Sequence, residues 1–165
     1  MERILYGKPI AEELDAKSKL IFTNFENAND RKPKLTAITV GDNPASLLYV
    51  SRKEEKAIEL GVEFNWIKLN KATSQKDLEE KVELSAKDSD GIIIQLPLPE
   101  HINPEEAINK IPYNLDVDGL TALNLGNLYS EEYKIIPATS LAILEMIKFY
   151  KIDTTDKNIV IAGRS

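Results

Sequence analysis

The chain has 165 residues, 42% hydrophobic and 29% charged, with a net charge of −6. That suffices for one ordinary core, and the acidic balance gives no electrostatic ground for nucleic acid or an anionic membrane as partner. Cysteine is absent and histidine occurs once, at His101, which excludes disulfides, thiolate chemistry and a multi-histidine centre, and no metal is expected.

The opening, MERILYGKPIAEELDAKSK, lacks an apolar h-region, and no apolar run approaches the roughly 20 residues of a membrane span. A soluble, cytoplasmic protein is therefore expected. Apolar periodicity then predicts a helix over 9–25, with Ile10, Leu14, Leu20 and Ile21 as its buried candidates. KLTAITVG (34–41) is short and β-branched and reads as a strand. A helix over 44–60 follows, stopped by Gly61, and VEFNWIKL (62–69) alternates as a half-buried strand does. Thr73 or Ser74 caps the next helix, which runs to about Lys87. Ile92 to Ile94 form a wholly apolar strand, the kind covered on both faces of a parallel sheet. It ends at Gln95, because Pro97 and Pro99 forbid its continuation. Asn103 and Pro104 open a short helix as cap and first-turn residue. Residues 112–137 read as a loop-rich segment, Thr139 or Ser140 opens a helix to about Tyr150, and KNIVIAGRS reads as a last strand. Strands alternating with helices predict a parallel α/β architecture.

Four places hold residues suited to chemistry. At about 100° per residue, Lys53 lies roughly 20° from Leu60 and 40° from Ala57 and Tyr49, while Arg52 and Glu59 fall outside that arc. A lysine drawn into an apolar arc either snorkels to water or occupies a pocket suited to proton transfer. Tyr49 beside it offers a flat face. Gln95 stands at the carboxyl end of a strand, where open α/β sheets bind ligands, or it satisfies loop backbone. Asp116 and Asp118 in DVDG alternate on an extended segment, so their carboxylates either converge or form a turn. His101 reads as a surface side chain. The terminal GRS follows an apolar run, where a dinucleotide-binding turn would begin.

Taken in order, PKLTAITVGDNPASLLYVSRKEEKAIELGV, GIIIQLPLPEHIN, DVDGLTALNLGNL and NIVIAGRS resemble the bifunctional methylenetetrahydrofolate dehydrogenase/methenyltetrahydrofolate cyclohydrolase family. The resemblance implies a three-layer α/β folate-site domain over 1–138 with a mostly parallel sheet. An inter-domain helix and linker over 139–157 would follow, with the first strand of a Rossmann NAD(P)-binding domain over 158–165. It implies Lys53 as the catalytic lysine, Tyr49 as its stacking neighbour, Gln95 as the lysine's contact and Asp118 as the pterin's acceptor. Leu96 and Pro97 would join the substrate side, and Gly163, Arg164 and Ser165 the cofactor side. The implied cofactor is NADP, with NAD as the alternative. The implied ligands are tetrahydrofolate derivatives, the assembly a homodimer, and the pathway one-carbon metabolism feeding purine and amino-acid biosynthesis. One departure stands out: PATSLA (137–142) replaces the family's P-C-T-P-x-G, keeping Pro137 and Thr139. Two other readings are a non-catalytic folate-binding or dimerising module and a two-domain amino- or hydroxy-acid dehydrogenase.

Overall fold

Three short segments rich in β-branched residues set the architecture. In the computed structural model, which describes residues 4–163, β1 (Lys34–Val40), β2 (Glu63–Leu69) and β3 (Gly91–Ile94) form one parallel sheet. The strand order is β2-β1-β3. Around it lie α1 (Lys8–Asn29), α2 (Pro44–Glu59), α3 (Gln75–Ser85), α4 (Pro104–Ile108), α5 (Ala122–Tyr129) and α6 (Ala138–Phe149).

The chain steps outward from β1 to β2 and then back past β1 to β3. Right-handed crossovers therefore put α2 and α3 on opposite faces, and the side chains agree. Ile38, Val40, Ile92 and Ile94 pack with Leu78 and Val82 of α3 and with Ala107 and Ile108 of α4. Ala37 and Ile93, one step out of phase, pack with Val50 of α2. Three layers result. Burying a side chain such as Ile38, Leu78 or Ile92 is worth about 1.5–3 kcal/mol, against about 1 kcal/mol or less for an exposed ion pair. The sheet centre, not the surface charge, holds the strand ends in place.

The helix boundaries follow their capping chemistry. Asn43 Oδ1 accepts from the N–H groups of Ala45 (3.0 Å) and Ser46 (3.1 Å) to open α2 ahead of Pro44. At its end the N–H of Gly61 bonds to Ile58 O and that of Val62 to Ala57 O, so Gly61 stops the helix as expected. Ser74, not Thr73, caps α3 by accepting from the N–H of Asp77. Asn103 caps α4 in the same manner as Asn43 caps α2.

Four sequence expectations need correction. The segment 112–137 is not all loop, since Thr121 caps α5 within it by accepting from the N–H of Asn124. Neither Thr139 nor Ser140 opens α6: the helix begins at Ala138 after Pro137, with no side-chain cap. In α1 only Ile10 is buried, while Leu20 and Ile21 are more than 60% exposed and Leu14 is also exposed. Its apolar periodicity marks a face that is covered at Ile10 and left open at Leu14, Leu20 and Ile21. The run 158–163 is not a strand. A parallel strand takes its hydrogen bonds from neighbours, and with none beside it among the described residues Ile159, Val160 and Ile161 stay exposed. No helix of the described residues is long and apolar enough to cross a membrane.

Candidate functional site

The strand order reverses at β1/β3, and such a switch point opens a crevice outside the carboxyl ends of the strands. Gln95 stands there, two residues beyond Ile93, so strand alternation turns it toward the face that α2 covers. Its backbone N–H donates to Ile38 O at 2.9 Å, extending the β1–β3 ladder by one step. From α2, Lys53 reaches the same point: its Nζ donates to Gln95 Oε1 at 3.3 Å. The other end of the Gln95 amide is committed, because Nε2 donates to Leu96 O at 2.8 Å. That bond fixes which way the amide faces and leaves Oε1 for the lysine.

Asp118 completes the group, with Oδ2 at 3.9 Å from Lys53 Nζ. The lysine side chain is 35% exposed and the aspartate 29%, so both are open to a ligand without lying in bulk water. Tyr49 precedes Lys53 by one helical turn and is 59% exposed. Both border an apolar groove of about 580 Å³ along α2, whose walls include Phe22, Leu35, Leu60, Val62, Ile93 and Val117. Arg52 borders it too, although helical angle alone placed it outside that arc; its long side chain closes the gap. Gln95 and Asp118 are not among the groove's walls. It runs from Tyr49 toward the amino ends of the strands, at Lys34 and Gly91.

The two aspartates of DVDG do not pair. Asp116 is 1% exposed and turns into its own loop. Its Oδ1 accepts from Gly119 N (2.9 Å), and its Oδ2 accepts from Thr121 N and Asn124 Nδ2 (2.8 Å each). Burial pushes this carboxyl up, but hydrogen bonds from the Thr121 backbone and the Asn124 amide outweigh it and hold the group below the ordinary aspartate range. The turn alternative therefore holds for Asp116, while Asp118 alone faces Lys53. Asn124 was missed from the sequence, since nothing local marks an asparagine whose partner lies eight residues back.

Leu96 and Pro97 are exposed just beyond Gln95, and Leu96 O also accepts from Ser46 Oγ at 3.3 Å. His101 Nε2 bonds to Thr73 O at 2.9 Å at the surface, away from this group. Among the described residues no group of His, Asp and Glu is arranged to hold a metal. Arg164 and Ser165 lie outside the described residues. Gly163 is exposed, and a Cβ on it would meet nothing within 4 Å.

Fold and site together define a parallel α/β domain with an amine, an amide and a carboxylate gathered outside the sheet's carboxyl edge. Residues 5–118, which include all four of Tyr49, Lys53, Gln95 and Asp118, match the model of the tetrahydrofolate dehydrogenase/cyclohydrolase catalytic domain. The chain belongs to that family. It is 38% identical over 167 aligned residues to the bifunctional protein FolD of Streptococcus mutans, covering 100% of this chain and 59% of the relative. The 5,10-methylenetetrahydrofolate dehydrogenase structure from Bombyx mori superposes with a TM-score of 0.88 at 35% identity, over 93% of this chain and 54% of that one. The Trypanosoma brucei N5,N10-methylenetetrahydrofolate dehydrogenase-cyclohydrolase, complexed with NADP cofactor and inhibitor, gives 0.87 at 27%, over 95% and 55%. The chain therefore spans a little over half the length of these relatives.

Proposed function

We propose that this chain carries the folate side of a methylenetetrahydrofolate dehydrogenase/methenyltetrahydrofolate cyclohydrolase. The observation that carries the reading is the Lys53 amine held 3.3 Å from Gln95 Oε1 and 3.9 Å from Asp118 Oδ2. Residues 1–138 form the folate-binding unit in this reading, 139–157 the connection to a second unit, and 158–165 that unit's beginning.

The cyclohydrolase step follows from the three side chains. Water adds to the one-carbon bridge of the 5,10-methenyl cation and loses a proton, giving a neutral tetrahedral adduct. Its bond to N5 then breaks as N5 takes up a proton, and the hydroxyl loses its own, leaving a formyl group on N10. Lys53 carries protons between the hydroxyl and N5. Gln95 aims the lysine, because its oxygen accepts from Nζ while Leu96 holds its other end. Asp118 accepts from the pterin's N–H groups and sets the ring's orientation, and Tyr49 supplies a face for the flat part of the ligand.

The dehydrogenase half, oxidation of the methylene bridge to methenyl, requires a hydride acceptor. NADP is proposed on the strength of the relative from T. brucei, with NAD as the alternative. That acceptor would sit on the part of the longer relatives that this chain does not span. A cytoplasmic homodimer supplying formyl groups for purine and amino-acid biosynthesis completes the proposal.

Methenyl absorbance in the native protein provides the test. It should fall on adding the methenyl compound alone, through hydrolysis, and rise when the methylene compound is supplied with NADP. A native protein that changes neither signal, yet is folded by circular dichroism, contradicts the reading.

A further inference from the structure

We propose that Asp116 is a positioning residue, which through the 116–124 loop fixes where Asp118 stands relative to Lys53, with Asn124 as its side-chain partner. What this does to turnover rests on the function proposed above; the geometric part does not.

The argument begins with what holds Asp118. Among the described residues the charged partner of its carboxylate is Lys53, at 3.9 Å, too long for a hydrogen bond. Such a contact cannot by itself place the aspartate, so its position is inherited from the backbone that carries it. That backbone is fastened on both sides of residue 118. Upstream, Asp116 is in register with Ile92 of the sheet, and the Ile92 N–H donates to Leu115 O at 2.7 Å. Downstream, the Asp116 carboxylate gathers the N–H groups of Gly119 and Thr121. It also takes one hydrogen from Asn124 Nδ2, while the same amide nitrogen donates to Tyr113 O at 2.8 Å. Asp116, Thr121 and Asn124 are all buried, so water does not compete for these bonds.

These donors explain why a carboxylate is required here. Gly119 N–H, Thr121 N–H and Asn124 Nδ2 each face one of its two oxygens, and the Thr121 hydroxyl and the Leu120 N–H add to them. An asparagine at 116 has the same shape but would turn its own N–H₂ toward a backbone N–H, so that side of the turn must open. Opening it shifts the residues between the two fastenings, Val117 and Asp118. A shift of about 1 Å at a reacting centre can cost about 10²-fold in rate.

The test is a double-mutant cycle in the native protein, with a second readout that needs no folate. In methenyl hydrolysis, D116N is expected to lower kcat by about 10²-fold. In a D118N background the same change should cost no more than about twofold, because the residue it acts through is already disabled. Losses that multiply in the double variant overturn the proposal, since a general weakening of the fold adds to any other defect. Independently, the NMR signals of Lys53 and Gln95 should move in D116N along the direction they take in D118N. Unmoved signals in a folded D116N protein overturn it whether or not the protein turns over folate. If D116N does not fold, N124A removes one of these bonds and is read in the same two ways.

Discussion

Lys53 and Gln95 are 42 residues apart in the chain, yet the lysine amine donates to the glutamine's side-chain oxygen at 3.3 Å. Helical spacing on α2 and strand alternation on β3 each aim one partner, and the packing of Val50 against Ile93 sets the distance between the elements that carry them. In the proposed hydrolysis, an amine fixed in this way presents its protons along one direction. Gln95→Ala removes the acceptor and should lower kcat for methenyl hydrolysis by about 10²-fold. Gln95→Glu keeps an acceptor oxygen and should retain more activity than the alanine variant in steady-state assays.

Tyr49 has little to hold within the domain, being 59% exposed, so its ring is free to meet a ligand. Tyr49→Ala should weaken folate binding by about 1 kcal/mol, the usual worth of an aromatic pair, while Tyr49→Phe should leave it nearly unchanged. Fluorescence titration of the three proteins measures this directly.

Gly91 is required by a close approach. A Cβ at this position would lie 2.6 Å from Val117 Cγ1 and 3.3 Å from Leu35 Cδ1. Val117 sits between the two aspartates, and its β-branched side chain has little rotamer freedom to yield. Gly91→Ala should therefore destabilise the fold by about 1–3 kcal/mol and disturb Asp118 as well. Chemical denaturation checks the first effect, and methenyl hydrolysis the second.

Asp90 links stability to pH. Arg31 donates to both of its oxygens, at 2.6 and 2.8 Å, and the Lys34 N–H donates at 2.9 Å. The Arg31 hydrogen bond, assisted by that backbone bond, holds the Asp90 carboxyl below its ordinary value against the opposing effect of burial. A carboxylate depressed in the folded state contributes stability that is fully present above its unfolded value, about 3.9. It loses that contribution as pH falls through the folded value. Stability should thus decline as pH is lowered below about 4, and Asp90→Asn should make the decline shallower. Urea titrations at stepped pH measure both slopes.

Much of the sheet and the site was legible because the signals are local. Three isoleucines ahead of two prolines fix both β3 and the position of Gln95, and Lys53 stands four positions after Tyr49 on one helix. Asp118 needed the family resemblance, since alternation in DVDG treats it and Asp116 alike. What separates them is three hydrogen bonds from within the loop, which no spacing rule contains. Helix α5 was hidden because Gly126 and two asparagines read as loop residues, whereas Thr121 and Asn124, both buried, tie its start to Asp116. Leu20 and Ile21 carry a correct helical period, but periodicity says only which face is apolar and not whether anything covers it. The run 158–161 fails as a strand for a related reason: β-propensity needs a neighbour to pair with.

The most direct measurement is hydrolysis of 5,10-methenyltetrahydrofolate by Lys53→Met in the native protein, beside the unmodified protein, with melting temperature and folate binding followed in parallel. The account predicts that hydrolysis falls to the uncatalysed rate while folding and binding persist. A folded Lys53→Met protein that hydrolyses the methenyl compound as fast as the unmodified protein would contradict it.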